Sequence, residues 1–92
     1  MNRTEQEEIR ELMSAVEHFA QAMKVKLLVC ARKGKRGWDG EHPQTDLCEQ
    51  IMIDAENMAN EIGNQANLSV DVGNRAMMLW YRVYGKSLMH GE

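Results

Sequence analysis

The sequence lacks the cysteine patterns and long apolar segments that are typical of secreted and membrane proteins. Its two cysteines, Cys30 and Cys48, form neither a disulfide framework nor a zinc-ligand pattern. No apolar run approaches the roughly 20 residues that cross a bilayer, and the first residues, MNRTEQEEIRE, are too polar for a signal peptide. We therefore expect a cytoplasmic protein with free thiols and no membrane contact.

Proline and strand-like alternation are also scarce. The only proline, Pro43, lies in a connector from Lys33 to Gln44 that holds three of the seven glycines, and no segment shows a strand pattern. A chain of 92 residues fits one domain, and a domain this short buries only about 60–65% of its unfolded surface. We predict a single all-α domain over residues 1–85, completed by oligomerisation, and a flexible tail over residues 86–92.

The first predicted helix is long. Thr4 and Glu7 form a capping box at its start. Apolar residues from Ile9 to Ala31 recur at steps of three and four, which predicts a helix over about residues 5–32 that ends before Gly34. Shorter partner helices cannot cover this whole stripe, so we expect a homo-oligomer, most simply a dimer, that uses helix one.

Two shorter helices follow. Thr45 is a candidate cap for helix two, whose apolar stripe runs to a left-handed glycine at Gly63. Helix three is predicted over about residues 69–84, with Gly73 allowing another helix to approach and Gly85 ending it. The fold class is therefore a three-helix bundle in which helices two and three form an antiparallel pair beside the long N-terminal helix.

Positive charge is missing from residues 37–74, which hold eight acidic residues and no lysine or arginine. Four cations precede this stretch within five residues, and an indole follows them: Arg32, Lys33, Lys35, Arg36 and Trp38. Such a glycine-containing turn can bind phosphates and stack a base on the indole. Alternatively, the cations are solvated and Trp38 plugs the end of the bundle. We do not expect nucleic acid as a partner, because the patch is short and no groove-reading motif is present.

Three carboxylates form a second candidate site. Asp46 and Glu49 are three residues apart, so both lie on one face of helix two, and Asp71 lies near the start of helix three. Oxygen ligands from two helices suit Mg²⁺. Helix capping explains Asp46 and Asp71 equally well, since a helix N-terminus favours negative charge. No arrangement of nucleophile and base is found, so no catalytic residue is assigned.

The order of these segments resembles a known family. A helix ending in KVKLLVCARKGKRGW, a polar second helix and then SVDVGNRAMMLWYR are similar to the all-α MazG-like nucleotide pyrophosphohydrolases, especially the short, divergent relatives in tailed-phage genomes. The similarity spans about residues 19–82 and is strongest at Lys33–Trp38 and Asp71–Asn74. It implies a phage-type accessory protein in the host cytoplasm, with a nucleotide ligand and Asn74 as an additional binding residue.

The metal motif of that family is incomplete here. Active members hold Mg²⁺ with a Glu-Glu-x-x-Glu run and a Glu-x-x-Asp run. Asp71 matches the last aspartate, but Leu68 stands where the glutamate belongs, and an apolar side chain does not bind magnesium. The Glu-Glu-x-x-Glu run can be aligned with residues 45–49, where one acidic residue is replaced. An alignment with residues 54–61 is also possible but fits less well.

Three functions remain open from the sequence. The first is binding of a nucleotide or nucleotide-derived ligand without turnover, through the basic turn. The second is binding to a protein, as an inhibitor or modulator of a host or defence enzyme, through the acidic stretch. The third is weak Mg²⁺-dependent nucleoside triphosphate pyrophosphohydrolysis.

Overall fold

The computed structural model describes residues 3–35, 37–40 and 43–90 and confirms the all-α fold, with no strand in these ranges. The elements, in chain order, are the α-helices α1 (Glu5–Arg32), α2 (Gln44–Ala59) and α3 (Gln65–Trp80), a π-helical turn (Tyr81–Gly85) and the short helix α4 (Lys86–His90).

Helix α1 begins and ends where the sequence predicts. The Glu7 backbone N–H donates to Thr4 Oγ1 over 3.2 Å, which satisfies one of the unpaired donors of the first turn. At the other end, Gly34 adopts a φ of +87°, a conformation that glycine reaches without steric cost. Local chemistry therefore determines both ends of the longest helix.

Helix α2 begins and ends differently from the prediction. Thr45 is not its cap, because the helix already begins at Gln44, directly after Pro43, and no side chain caps it. The proline holds its own φ at −57° and so prepares the backbone for the first turn. The helix also ends early, at Ala59, and the left-handed Gly63 lies in the following turn.

Helix α3 begins four residues before its predicted start. The side chain of Asn64 accepts a hydrogen bond from the Asn67 N–H over 3.0 Å and so caps the helix at Gln65. Gly85 does not end the helical chain as predicted, because it closes the π-helical turn without adopting a left-handed φ. It is buried under a ring, and a β-carbon there would lie 2.5 Å from Trp80 Cζ3. The chain continues as α4, where the sequence predicts a flexible tail.

Helices α2 and α3 form the antiparallel pair that the sequence predicts. Asp54 of α2, only 5% exposed, makes an ion pair with Arg75 of α3 and also accepts a hydrogen bond from Gln50 Nε2 over 3.1 Å. Nearer the connecting turn, Ser69 Oγ lies 3.3 Å from Met58 Sδ. These two contacts establish the register of the pair.

Helix α1 packs against α3 and, among the described residues, not against α2. The two helices meet at Gly73, where a β-carbon would lie 2.7 Å from Phe19 Cε2. Beside this point, Asn74 Nδ2 donates to the Met23 carbonyl over 3.4 Å. The predicted close approach at Gly73 is therefore confirmed, and Phe19 is the residue that uses it.

Few residues are buried in this arrangement. Within the described residues, the buried ones are Asp54, Asn74, Tyr81 and Gly85. The radius of gyration is 15.6 Å, against the roughly 12 Å expected of a compact chain this long. None of the helices formed by the described residues combines the length and apolarity needed to cross a membrane. The three helices thus form an open arrangement with little apolar core.

We predict that Gly73→Ala destabilises the fold by about 1–3 kcal/mol, because the added methyl group overpacks the site against Phe19. Gly40→Ala is the matched control, since nothing lies within 4 Å of a β-carbon there. Chemical denaturation measures both variants. Equal stability of the two would contradict the close packing of α1 on α3.

We also predict that Asp54→Asn lowers the free energy of unfolding by about 2–3 kcal/mol, because it leaves the Arg75 guanidinium without its buried counter-charge. Asp46→Asn makes the same chemical change at an exposed position of the same helix and serves as control. If the control were equally destabilised in urea titrations, the ion pair would not be what holds α2 on α3.

Candidate functional site

Three adjoining cavities lie between the C-terminal half of α1, the loop after it and α3. Their volumes are about 460, 270 and 180 Å³, and all three are lined by Cys30 and Lys35. We call them together the α1–α3 groove. The groove exists because α1 crosses α3 at Gly73 and the chain then turns back over the last turn of α1.

The largest cavity combines apolar walls with three ammonium groups. Valine and alanine side chains form much of its lining, and Lys26, Lys33 and Lys35 also line it. Lys26 and Lys33 are seven residues apart, about two helical turns, so they project from the same side of α1. The Lys35 N–H donates to the Cys30 carbonyl over 3.2 Å, which folds the loop onto the end of α1. Helix and turn thus bring three cations to one cavity.

A buried amide lines the smallest cavity. Asn74 is 4% exposed, and its Oδ1 has no hydrogen-bond partner among the described residues. A buried oxygen without a partner costs about 1–3 kcal/mol. The same cavity is lined by Lys26, Lys35 and Arg75, so a donor or a polar ligand there would meet both the amide and the cations.

Two carboxylates are paired with cations that line the groove. Asp71 Oδ1 lies 3.5 Å from Lys26 Nζ, and Asp54 is paired with Arg75. The Asp71 side chain is 25% exposed and that of Lys26 45% exposed, so this pair is partly solvated. Negative charge at this end of the groove is therefore partly balanced from within the chain.

Trp38 is anchored to the far end of α3. Its ring lies 4.7 Å from that of Tyr81, tilted by 54°, and its carbonyl accepts hydrogen bonds from Arg82 Nε and Nη2 over 3.0 and 2.7 Å. Tyr81 Oη is in turn 3.0 Å from His90 Nε2. Trp38 also lines the 270 Å³ cavity with Leu27. The indole thus packs on the end of the bundle, one of its two sequence interpretations, and borders the groove as well.

The structure brings together most of the binding residues that the sequence suggests. Lys33, Lys35, Trp38 and Asn74 all line the α1–α3 groove. Arg32 is exposed in the last turn of α1 and lines none of the three cavities. Arg36 lies outside the described residues.

The three suggested metal ligands do not form a cluster. Among the described residues, no group of three or more histidine, cysteine, aspartate or glutamate side chains is arranged to hold a metal ion. The register of α2 and α3 explains this, because it places Asp71 beside Asn57, about eleven residues or roughly 16 Å along the axis from Asp46.

Sequence reasoning missed two cations of the groove. Lys26 could have been predicted from its spacing, since it lies two helical turns before Lys33 and therefore on the same side of the helix. Arg75 gave no comparable signal, because its position at the groove depends on how α3 packs against both α1 and α2.

Comparison of the chain with protein-family models, with curated proteins and with solved structures finds no match. The resemblance to MazG-like pyrophosphohydrolases therefore stays a prediction. Any function assigned to the α1–α3 groove rests on the groove's own residues and geometry.

Proposed function

We propose that the α1–α3 groove binds a small phosphorylated ligand, a nucleotide or a nucleotide-derived compound, without hydrolysing it. One observation carries the proposal: Lys26, Lys33 and Lys35 line a single cavity whose remaining wall is largely apolar. A cavity lined by both cations and apolar surface suits a ligand that has both a phosphate group and a flat, less polar part.

The chemistry of the cavity supports this class of ligand. Hydrogen bonds from ammonium groups to phosphate oxygens are charge-assisted and stronger than those between neutral groups. A volume of about 460 Å³ falls within the range of about 300–1,000 Å³ typical of small-molecule sites. The valines on the wall, Val25, Val29 and Val70, offer contact to a base or sugar.

Two further groups suit recognition of the same ligand. The Oδ1 atom of Asn74 accepts a hydrogen bond, so an exocyclic amine or a hydroxyl would satisfy it. Trp38 borders the adjoining cavity and is 39% exposed, which leaves ring surface for contact with a base. Both lie in cavities that share Lys35 with the main one.

We expect no hydrolysis, because the carboxylates beside the groove are engaged. Magnesium-assisted attack on phosphates needs carboxylates that hold the metal against the substrate. Here Asp71 lies beside Lys26 and Asp54 is paired with Arg75, so each would have to leave a cation before it could bind a metal. Weak pyrophosphohydrolysis is the alternative outcome of the tests below.

The outer side of α2 favours a second candidate, binding to a protein as a modulator of an enzyme. Met52 is 69% and Ile53 48% exposed, and the exposed Glu49 and Glu56 lie on the same helix. Helix α2 has no lysine or arginine, so its partner would be a basic surface with an apolar centre. This becomes the leading function if no nucleotide affects the intact chain.

We predict that nucleoside di- and triphosphates raise the melting temperature of the protein, with or without Mg²⁺. A ligand at a hundredfold excess over its Kd stabilises the native state by about 2.7 kcal/mol. Lys33→Ala should weaken binding about tenfold, since one charge-assisted contact of about 1.4 kcal/mol is lost. Lys24→Ala, also on α1 but not lining these cavities, should bind like the unchanged protein. Equal losses in both variants would indicate only nonspecific attraction.

We further predict that Asp71→Asn binds the nucleotide two- to fivefold more tightly, because it removes a like charge and frees Lys26 from a pair of about 0.5–1 kcal/mol. The measurement is calorimetric titration beside an assay of pyrophosphate release. Steady Mg²⁺-dependent release by the unchanged protein that disappears in Asp71→Asn would overturn the proposal and establish the enzyme instead.

A further inference from the structure

We propose that the N-terminal half of α1 pairs with the same segment of a second copy of the chain in antiparallel orientation. The proposal concerns a different part of the molecule from the α1–α3 groove and stands or falls independently of any ligand.

The first half of α1 carries an uncovered apolar surface. Ile9 is 49%, Leu12 55%, Met13 55% and Val16 62% exposed. The packing contacts with α3 described above begin only at Phe19. The apolar stripe of α1 therefore runs on for about two and a half turns beyond the point where α3 covers it.

The spacing of this stripe is that of a coiled-coil seam. Seven residues follow one another at alternating steps of four and three: Ile9, Met13, Val16, Ala20, Met23, Leu27 and Cys30. A repeat of 3.5 residues keeps one face of a helix against a partner helix along its length. We call these seven residues the α1 seam. Helix α3 covers its C-terminal part, and a second helix is needed for the remainder.

The exposed area fits the same conclusion. The chain exposes 7300 Å², whereas a compact monomer of its mass exposes about 5,500 Å². The excess is more than twice the roughly 800 Å² that each partner buries in a standard interface. One helix pair can therefore be accommodated, and surface remains exposed after it forms.

The position of α3 selects the antiparallel orientation. Helix α3 already covers the C-terminal part of the seam, from Phe19 onward. A parallel partner would run along that covered part as well, where α3 occupies the seam. An antiparallel partner pairs at the exposed residues Ile9–Val16 and then continues past the N-terminal end of α1, away from α3.

The charges that flank the seam select one register. In the register that sets Met13 against Val16 of the partner subunit, Ile9 faces Ala20 of the partner subunit. Arg10, which flanks the seam, then faces Glu17 of the partner subunit, and twofold symmetry forms this pair twice. A shift of one heptad in one direction would place Arg10 opposite Arg10 of the partner subunit, and a shift in the other direction would place Glu17 opposite Glu17 of the partner subunit. Both shifts set like charges against one another. The seam and its flanking charges thus agree on a single arrangement.

Sedimentation velocity at tens of micromolar tests the pairing. The unchanged protein should sediment as twice the 10.6 kDa of one chain, and Val16→Glu should sediment as a monomer with an unchanged helical spectrum, because it places a charge in the seam. Leu28→Glu is the control, because Leu28 is 51% exposed, lies outside the seam and lines none of the three groove cavities. It should leave the dimer intact. A monomeric unchanged protein, or equal loss in both variants, would overturn the proposal.

A charge exchange tests the orientation. Arg10→Glu and Glu17→Arg should each weaken the dimer at low salt by an order of magnitude or more, because each variant sets like charges against one another twice. The double variant Arg10→Glu, Glu17→Arg should restore it, because the pair is exchanged within one register. In a parallel dimer Arg10 would face Glu5 of the partner subunit, so the double variant would stay weak. That result would exclude the antiparallel arrangement.

Discussion

Phe19 lies against the backbone of α3 at Gly73, where no space remains for a β-carbon. This contact brings the axes of α1 and α3 close enough for Asn74 Nδ2 to reach the Met23 carbonyl. C-terminal to this contact, one side of α1 packs beside α3 and lines the α1–α3 groove, whereas N-terminal to it the apolar residues from Ile9 to Val16 are exposed. One pair of residues thus divides the longest helix into a part that folds with its own chain and a part that does not.

The interior around this crossing is polar as much as apolar. Asp54 and Asn74 are among its most buried residues, while many large apolar side chains lie at the surface. Buried polar groups select one arrangement when they are satisfied and are costly when they are not. The Asp54–Arg75 pair fixes the register of α2 and α3 in this way, whereas Asn74 has an oxygen without a partner among the described residues. The least satisfied atom of the interior thus borders the groove.

Local sequence rules predicted the ends of α1 well, and they predicted poorly what depends on turns and on contacts between helices. The bounds of α1 follow from Thr4 and Gly34 alone, and Gly73 was recognised as a point of close approach. By contrast, the start of α3 depended on Asn64 acting as a cap within a polar turn, and Gly85 looked like a stop although the ring of Trp80 covers it. The cations of the turn could be predicted because they are adjacent in sequence. The separation of Asp46 from Asp71 could not, because it depends on the register between two helices.

The two halves of α1 have opposite charge, and the charged residues of the proposed ligand groove and of the proposed pairing surface lie on opposite edges of the same apolar stripe. On one edge, Lys26 and Lys33 point toward the α1–α3 groove. On the other edge stand Arg10, Glu17 and Lys24, seven residues apart from one another. A partner helix paired at Ile9–Val16 would contact Arg10 and Glu17, whereas Lys26 and Lys33 lie farther along α1, outside the paired segment. The proposed ligand groove and the proposed pairing surface can therefore share one helix, because they use different parts of its length.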